Sequence, residues 1–203
     1  EVIEPCQVNF VKKEDYLKIA LSSSSFANLN KAGKLIFQNQ QSTNPLDICN
    51  ALISFKIKIE DLDANEDITL EHNFFPRCFS QITLKLGTTD VENISYPGEV
   101  STMLNFTMTN DAYKKEYGTL SGWIPDVRTG DTGITNRSYK LRKELYNTSK
   151  SFEGLFPLKN LFGFLQCYNR IIFLIPVELS LDRIINNEEI FYGGAATAAK
   201  LTF

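Results

Sequence analysis

The sequence predicts an all-β fold, an antiparallel eight-stranded jelly-roll sandwich with one short inserted helix, spanning residues 1–203 as a single domain. Three observations predict it. Apolar and polar residues alternate with period two in several stretches. Turn signals separate about eight such stretches at roughly 10–15 residue intervals. Helical periodicity is confined to one clear segment. The composition agrees: 43% apolar residues suffice for a core, and 15 Phe and 8 Tyr against one Trp fit pleated, half-buried surfaces.

"LISFKIKIE" is the clearest strand: Ile53, Phe55, Ile57 and Ile59 point one way, and Ser54, Lys56, Lys58 and Glu60 the other. "QITLKLG" repeats the pattern through Ile82, Leu84 and Leu86, and Gly87 closes it. "IPVELSLDR" repeats it through Ile175, Val177, Leu179 and Leu181. Shorter candidates are "VNFVKK", "YLKIALS", "KLIFQNQ", "DITLEH", "SFEGLF", "RIIFLIP" and "AAKLTF". The helix falls in "YPGEVSTMLNFTMTNDAYKKEYG", with Pro97 at its start and Val100, Met103, Leu104 and Phe106 at helical spacing; Gly118 is its expected stop. "LKNLFGFLQCYN" reads as a short helix or turn. Thr119 to Lys150 is polar and rich in Gly, Thr and Asn, and reads as a long loop between strands.

The most apolar run, residues 156–183, is interrupted by Lys159, Arg170, Glu178 and Asp182, so it reads as a turn and then one long central strand kinked at Pro176, not as a membrane span. The N-terminus has neither a basic start nor an apolar signal core. It also lacks Met, which reads as a processed chain or an excised piece of a longer one. The net charge of −3 gives no broad pull toward nucleic acid or anionic membranes.

Chemistry-bearing motifs are sparse. Cys6, Cys49, Cys78 and Cys167 form no CxxC pair and read as reduced thiols. The one histidine, His72, cannot supply a multi-His metal site and reads as structural or surface. "DLDANED" resembles the start of a calcium loop, but Glu66 and His72 stand where the sixth-position Gly and twelfth-position Glu belong, so it reads as a hairpin turn. "YKLRKELYNTSK" interleaves Tyr139 and Tyr146 with Lys140, Arg142, Lys143 and Lys150; it reads as a solvated loop or a subunit contact. "FYGGAATAAK" lacks P-loop spacing, and Gly193 and Gly194 read as a flexible turn. The sequons at Asn93, Asn105, Asn136 and Asn147 read as chance matches. No carboxylates pair for acid–base work. The expectation is a binding or building protein, not an enzyme, with no catalytic residue, metal or cofactor.

"HNFFPRCFSQITLKLG" followed by "ISYPGEVSTMLNFTMTNDAYKKEYGTLSGWIPD" is similar to the first half of double jelly-roll major capsid proteins of Polinton-type elements and adintoviruses. The shared features are Asn73, the Phe79 to Ile82 strand, the Tyr96–Pro97 step and Gly122–Trp123. A second anchor, from Leu141 to Arg183, resembles the family's strand, turn and long final strand ending in Leu-x-Arg, here Leu181 and Arg183. The resemblance covers roughly residues 45 to 203. It departs in a shorter post-helix segment and in length, because the family carries two rolls. Residues 195–203 would then begin a second roll, and the chain would be a fragment, cleavage product, split subunit or degraded copy. The resemblance implies a virion protein that self-associates, as a trimer or higher oligomer and with other capsid proteins, to build an icosahedral shell. It implies no sequence-specific nucleic acid binding. Expected subunit contacts are Glu99, Met103, Tyr113, Trp123 and Arg142. Alternatives are a single-jelly-roll penton or minor capsid protein, and a lectin-like module stacking sugar on Trp123 and exposed Tyr residues.

Overall fold

A computed structural model describes residues 16–26, 30–40, 45–60, 67–108, 110, 118–127, 133–184, 187–193 and 200–203. Among these, nine strands form three antiparallel sheets, where eight strands in a sandwich were expected. The strands are β1 (Gly33–Asn39), β2 (Leu52–Glu60), β3 (Ile68–Leu70), β4 (Phe79–Leu86), β5 (Thr89–Ser95), β6 (Ser151–Pro157), β7 (Val177–Arg183), β8 (Phe191–Gly193) and β9 (Lys200–Thr202). Helical segments are α1 (Ser23–Phe26), α2 (Phe74–Arg77), α3 (Pro97–Met108), α4 (Thr119–Ser121), α5 (Arg137–Ser149), α6 (Gly163–Cys167) and α7 (Asn187–Ile190). Instead of one short helix there are two long ones, α3 with 12 residues and α5 with 13, beside single turns.

The sheets are ordered β1-β7-β4-β5, β6-β2-β9 and β3-β8. Strand β2 alternates as read: Ile53, Phe55, Ile57 and Ile59 are buried and Leu52, Ser54, Lys56 and Lys58 exposed. Ile82 and Leu84 on β4, and Leu179 and Leu181 on β7, point into the same core. Gly87 follows β4 with φ 62° and opens the two-residue turn into β5, a conformation that glycine adopts without a Cβ penalty. Phe75 joins the two larger sheets. Its ring stacks on Phe55 (centroids 4.4 Å apart) and Phe156 (5.2 Å) of one sheet and meets Phe79 of the other edge-on (5.4 Å).

Four expectations change. First, the stretch read as one long kinked strand begins as a strand only at Val177. Before it, Ile172 makes a single bridge to Leu46, while Ile171, Phe173, Leu174 and Ile175 stay exposed and Leu174 takes φ 57°. Second, the polar excursion holds helix α5, whose N-cap Asn136 accepts from Ser138 N–H at 2.9 Å. Third, Gly193 is a strand residue paired with Ile68; a Cβ there would stand 2.1 Å from the Asp67 carbonyl oxygen. Fourth, α3 ends at Met108, so Gly118 does not stop it; Gly118 is the helical residue (φ −57°) before α4, which the left-handed Gly122 (φ 77°) caps.

"LKNLFGFLQCYN" forms a single 3-10 turn and then α6, as the sequence indicated. "YLKIALS" contributes only the Leu21–Phe37 bridge. Lys200–Thr202 pairs with β2 inside this fold. "VNFVKK" and most of "DLDANED" lie outside the described residues.

Candidate functional site

Helix α3 is mounted inside out. Pro97, Gly98, Ser101 and Asn105, small or polar, are its buried residues, while Met103, Phe106 and Met108 are exposed. Of the four residues that mark the helix in sequence, Met103 and Phe106 therefore face outward, while Val100 and Leu104 are half-buried. An ordinary surface helix does the reverse.

A polar frame causes this. Asn73 sits before α2 in the left-handed region, φ 59°, which Asn tolerates better than most residues. Its Nδ2 donates to Ser101 Oγ at 2.7 Å and Thr102 Oγ1 at 3.0 Å. The Ser101 and Thr102 hydroxyls donate in turn to the Gly98 carbonyl. Gly98 lies against Arg77, and a Cβ there would stand 2.5 Å from Arg77 Cγ. Arg77 Nη1 pairs with Glu99 at 3.3 Å. These bonds hold α3 to α2 by its polar side and leave its apolar side outward.

Behind α3 lies a buried junction. Trp123 is 1% exposed; its ring meets Phe106 (centroids 4.9 Å apart) and His72 (5.6 Å). His72 Nδ1 pairs with Glu71 Oε1. Burial raises the Glu71 carboxyl, but the hydrogen bond from His72 and the charges of His72, Arg142 and Arg77 outweigh it, leaving the group below its ordinary value. Arg142, wholly buried, donates to the Ile124 carbonyl at 2.6 Å and to Asp126 Oδ1 at 2.9 Å. Tyr139, Arg142 and Tyr146 recur along α5 as its buried stripe. Burial pushes both phenols upward, Tyr146 more strongly. Asn147 Nδ2 donates to the Ile68 carbonyl and Lys143 pairs with Asp67, which anchors α5 on β3.

The expected contact residues therefore separate. Met103 is 70% exposed, and the Glu99 side chain is half exposed. Tyr113 lies outside the described residues. Trp123 and Arg142 are corrected: both are enclosed by this chain's own atoms and offer no side chain to a neighbour or a sugar. A lone Trp beside Gly118 and Gly122 carries no periodicity to place it, so the burial of Trp123 is not legible in the sequence. Sequence reasoning also missed the segment from Ile171 to Ile175: five large apolar residues just before Pro176 read as a strand, yet all but Ile172 face outward.

No family model, curated protein or solved structure matches this chain.

No group of three or more His, Cys, Asp or Glu side chains positioned to hold a metal ion occurs among the described residues. No helix among them is long and apolar enough to cross a membrane. Asn105, Asn136 and Asn147 are buried, so three of the four sequons are closed to glycosylation in the folded chain. What the described surface offers is shape and apolar area on a rigid mount.

Proposed function

We propose that this chain is a jelly-roll building block of a viral-type shell, working by self-association and not by catalysis. The observation that carries the reading is the pairing order. Strand β1 pairs with β7, β2 with β6, and β4 with β5, so these three pairs nest concentrically along the chain, while β2–β9, β3–β8 and β4–β7 cross that nesting. Successive pairs alternate between the four-stranded and the three-stranded sheet. A long antiparallel ribbon rolled into two facing sheets generates this order, and the same roll limits exposed edges. The outward apolar face of α3 supports the self-association, because exposed apolar area on a rigid element marks an interaction surface.

In this reading the partners are copies of the chain and other shell proteins, the location is the virion, and no catalytic group is needed. The test is light scattering on the purified chain across a concentration series, with electron microscopy of the largest species. A trimer or hexamer is expected. A pentamer would favour a penton role. A monomer at every concentration would contradict shell building.

A further inference from the structure

Two exposed apolar patches lie at opposite ends of the four-stranded sheet. The first follows β5, whose Ser95 pairs with Gln81 near the start of β4, and comprises Tyr96, Met103 and Phe106. The second precedes β7, whose Val177 pairs with Leu86 at the other end of β4, and comprises Ile171, Phe173, Leu174 and Ile175. Eight residues of β4 separate them, roughly 23 Å at about 3.3 Å per residue. We infer that these patches are the two halves of one head-to-tail contact: the α3 face of one copy seats on the Ile171–Ile175 segment of the next. The inference rests on the self-association reading and names the surfaces that carry it.

The areas match each other and the need. Exposures of 70% at Tyr96 and Met103 and 57% at Phe106 leave about two whole side chains uncovered. Exposures from 43% to 61% across Ile171, Phe173, Leu174 and Ile175 leave about two. At roughly 200 Å² per large side chain, the two patches together bury on the order of 800 Å² of apolar surface. Interfaces are about 57% apolar, so the whole contact comes to about 1,400 Å², within the range of a standard stable interface.

The rims favour head-to-tail over like-with-like pairing. The half-exposed carboxylate of Glu99, which also pairs with Arg77, flanks the first patch, and the exposed Arg170 flanks the second. Seating one patch on the other brings opposite charges together, whereas pairing the second patch with its own copy sets Arg170 against Arg170. Symmetry adds a second reason. If each patch paired with itself, every copy would need two different self-complementary contacts, which close only where the two-fold axes intersect. One heterologous contact satisfies both patches and can close into a ring. Both patches are also firmly mounted: Phe106 rests on the buried Trp123, and Leu174 is fixed in a left-handed conformation that turns the backbone ahead of β7.

The test is a mixing experiment read by sedimentation velocity. Phe106→Asp blocks the first patch and Phe173→Asp the second; both positions are exposed, and circular dichroism checks that each variant folds. Each variant alone is expected to be monomeric, and an equimolar mixture to give a heterodimer and nothing larger, because it retains one intact pair of patches. Homodimers of either variant alone would overturn the head-to-tail pairing and leave self-association standing. Two monomeric variants that stay monomeric when mixed would overturn it as well. A monomeric wild-type chain would instead defeat the self-association reading from which the inference starts.

Discussion

Truncating Phe75 to Ala removes the side chain that joins the two larger sheets. Phe75 is 1% exposed, stacks on Phe55 with planes 20° apart and on Phe156 with planes 29° apart, and meets Phe79 nearly edge-on. A buried Phe→Ala change costs about 3–5 kcal/mol, and favourable ring pairs add about 0.5–1.5 kcal/mol each beyond area. Three such pairs place Phe75→Ala at the upper end, about 4–5 kcal/mol. For a chain of this size each kcal/mol lowers Tm by about 2–4 °C, so a drop of about 10–20 °C is expected. Phe75→Leu keeps most of the volume and should cost about 1–2 kcal/mol. Urea unfolding monitored by fluorescence measures both, with an unchanged slope showing that the same surface is exposed on unfolding. A loss under about 1 kcal/mol for Phe75→Ala would refute the reasoning, since the sheets would then not share this ring.

Other consequences follow from the polar groups. Asn73→Ala forfeits two hydrogen bonds to α3 and places Ala in the left-handed region, costing about 2–3 kcal/mol, while Asn73→Gly is milder by about 1 kcal/mol; equal losses in chemical unfolding would argue against a conformational share. Because the Glu71 carboxyl is held below its ordinary 4.5, its contribution is present above that pH and is lost as pH falls through the lower folded-state value. Wild-type Tm should therefore fall more steeply below pH 4.5 than that of Glu71→Gln, and parallel Tm profiles would contradict this. Burial pushes the Cys78 thiol up to about 11, against a smaller lowering by the Arg183 charge, whereas Cys167 is exposed. A maleimide should label Cys167 in the native chain and Cys78 only on unfolding, as peptide mass mapping will show; equal native labelling would contradict the fold.

How far the sequence could be read depended on whether a side chain's polarity matched its burial. In β2 it does, so Ile53 to Ile59 were legible as one buried face. In α5 it does not. Its buried stripe contains Arg142 between Tyr139 and Tyr146, and a cation in that place makes the helix look like a solvated loop. Helix α3 was recognisable by its spacing, but spacing gives the stripe and not its direction. The direction was set by Asn73, distant in sequence, whose amide claims the Ser101–Thr102 side. Residues 171–175 misled for the opposite reason: their composition is that of a buried strand, yet Leu174 turns the chain and strand pairing in β7 begins only at Val177. Both features beyond reach of periodicity, an apolar face turned outward and an apolar loop left uncovered, belong to the candidate contact. A pattern that serves contacts between chains does not report on burial within one chain.

The claim that the outward face of α3 exists to be covered by another copy has a direct readout. Met103 and Met108 are the chain's two methionines and both stand exposed on α3. Hydroxyl-radical footprinting across a protein dilution series should show Met103 oxidised rapidly when dilute and shielded several-fold when concentrated, while Met108, on another face of the helix, serves as the exposed reference and the buried Trp123 stays slow throughout. Met103 oxidation that is equally fast at every concentration would contradict the account.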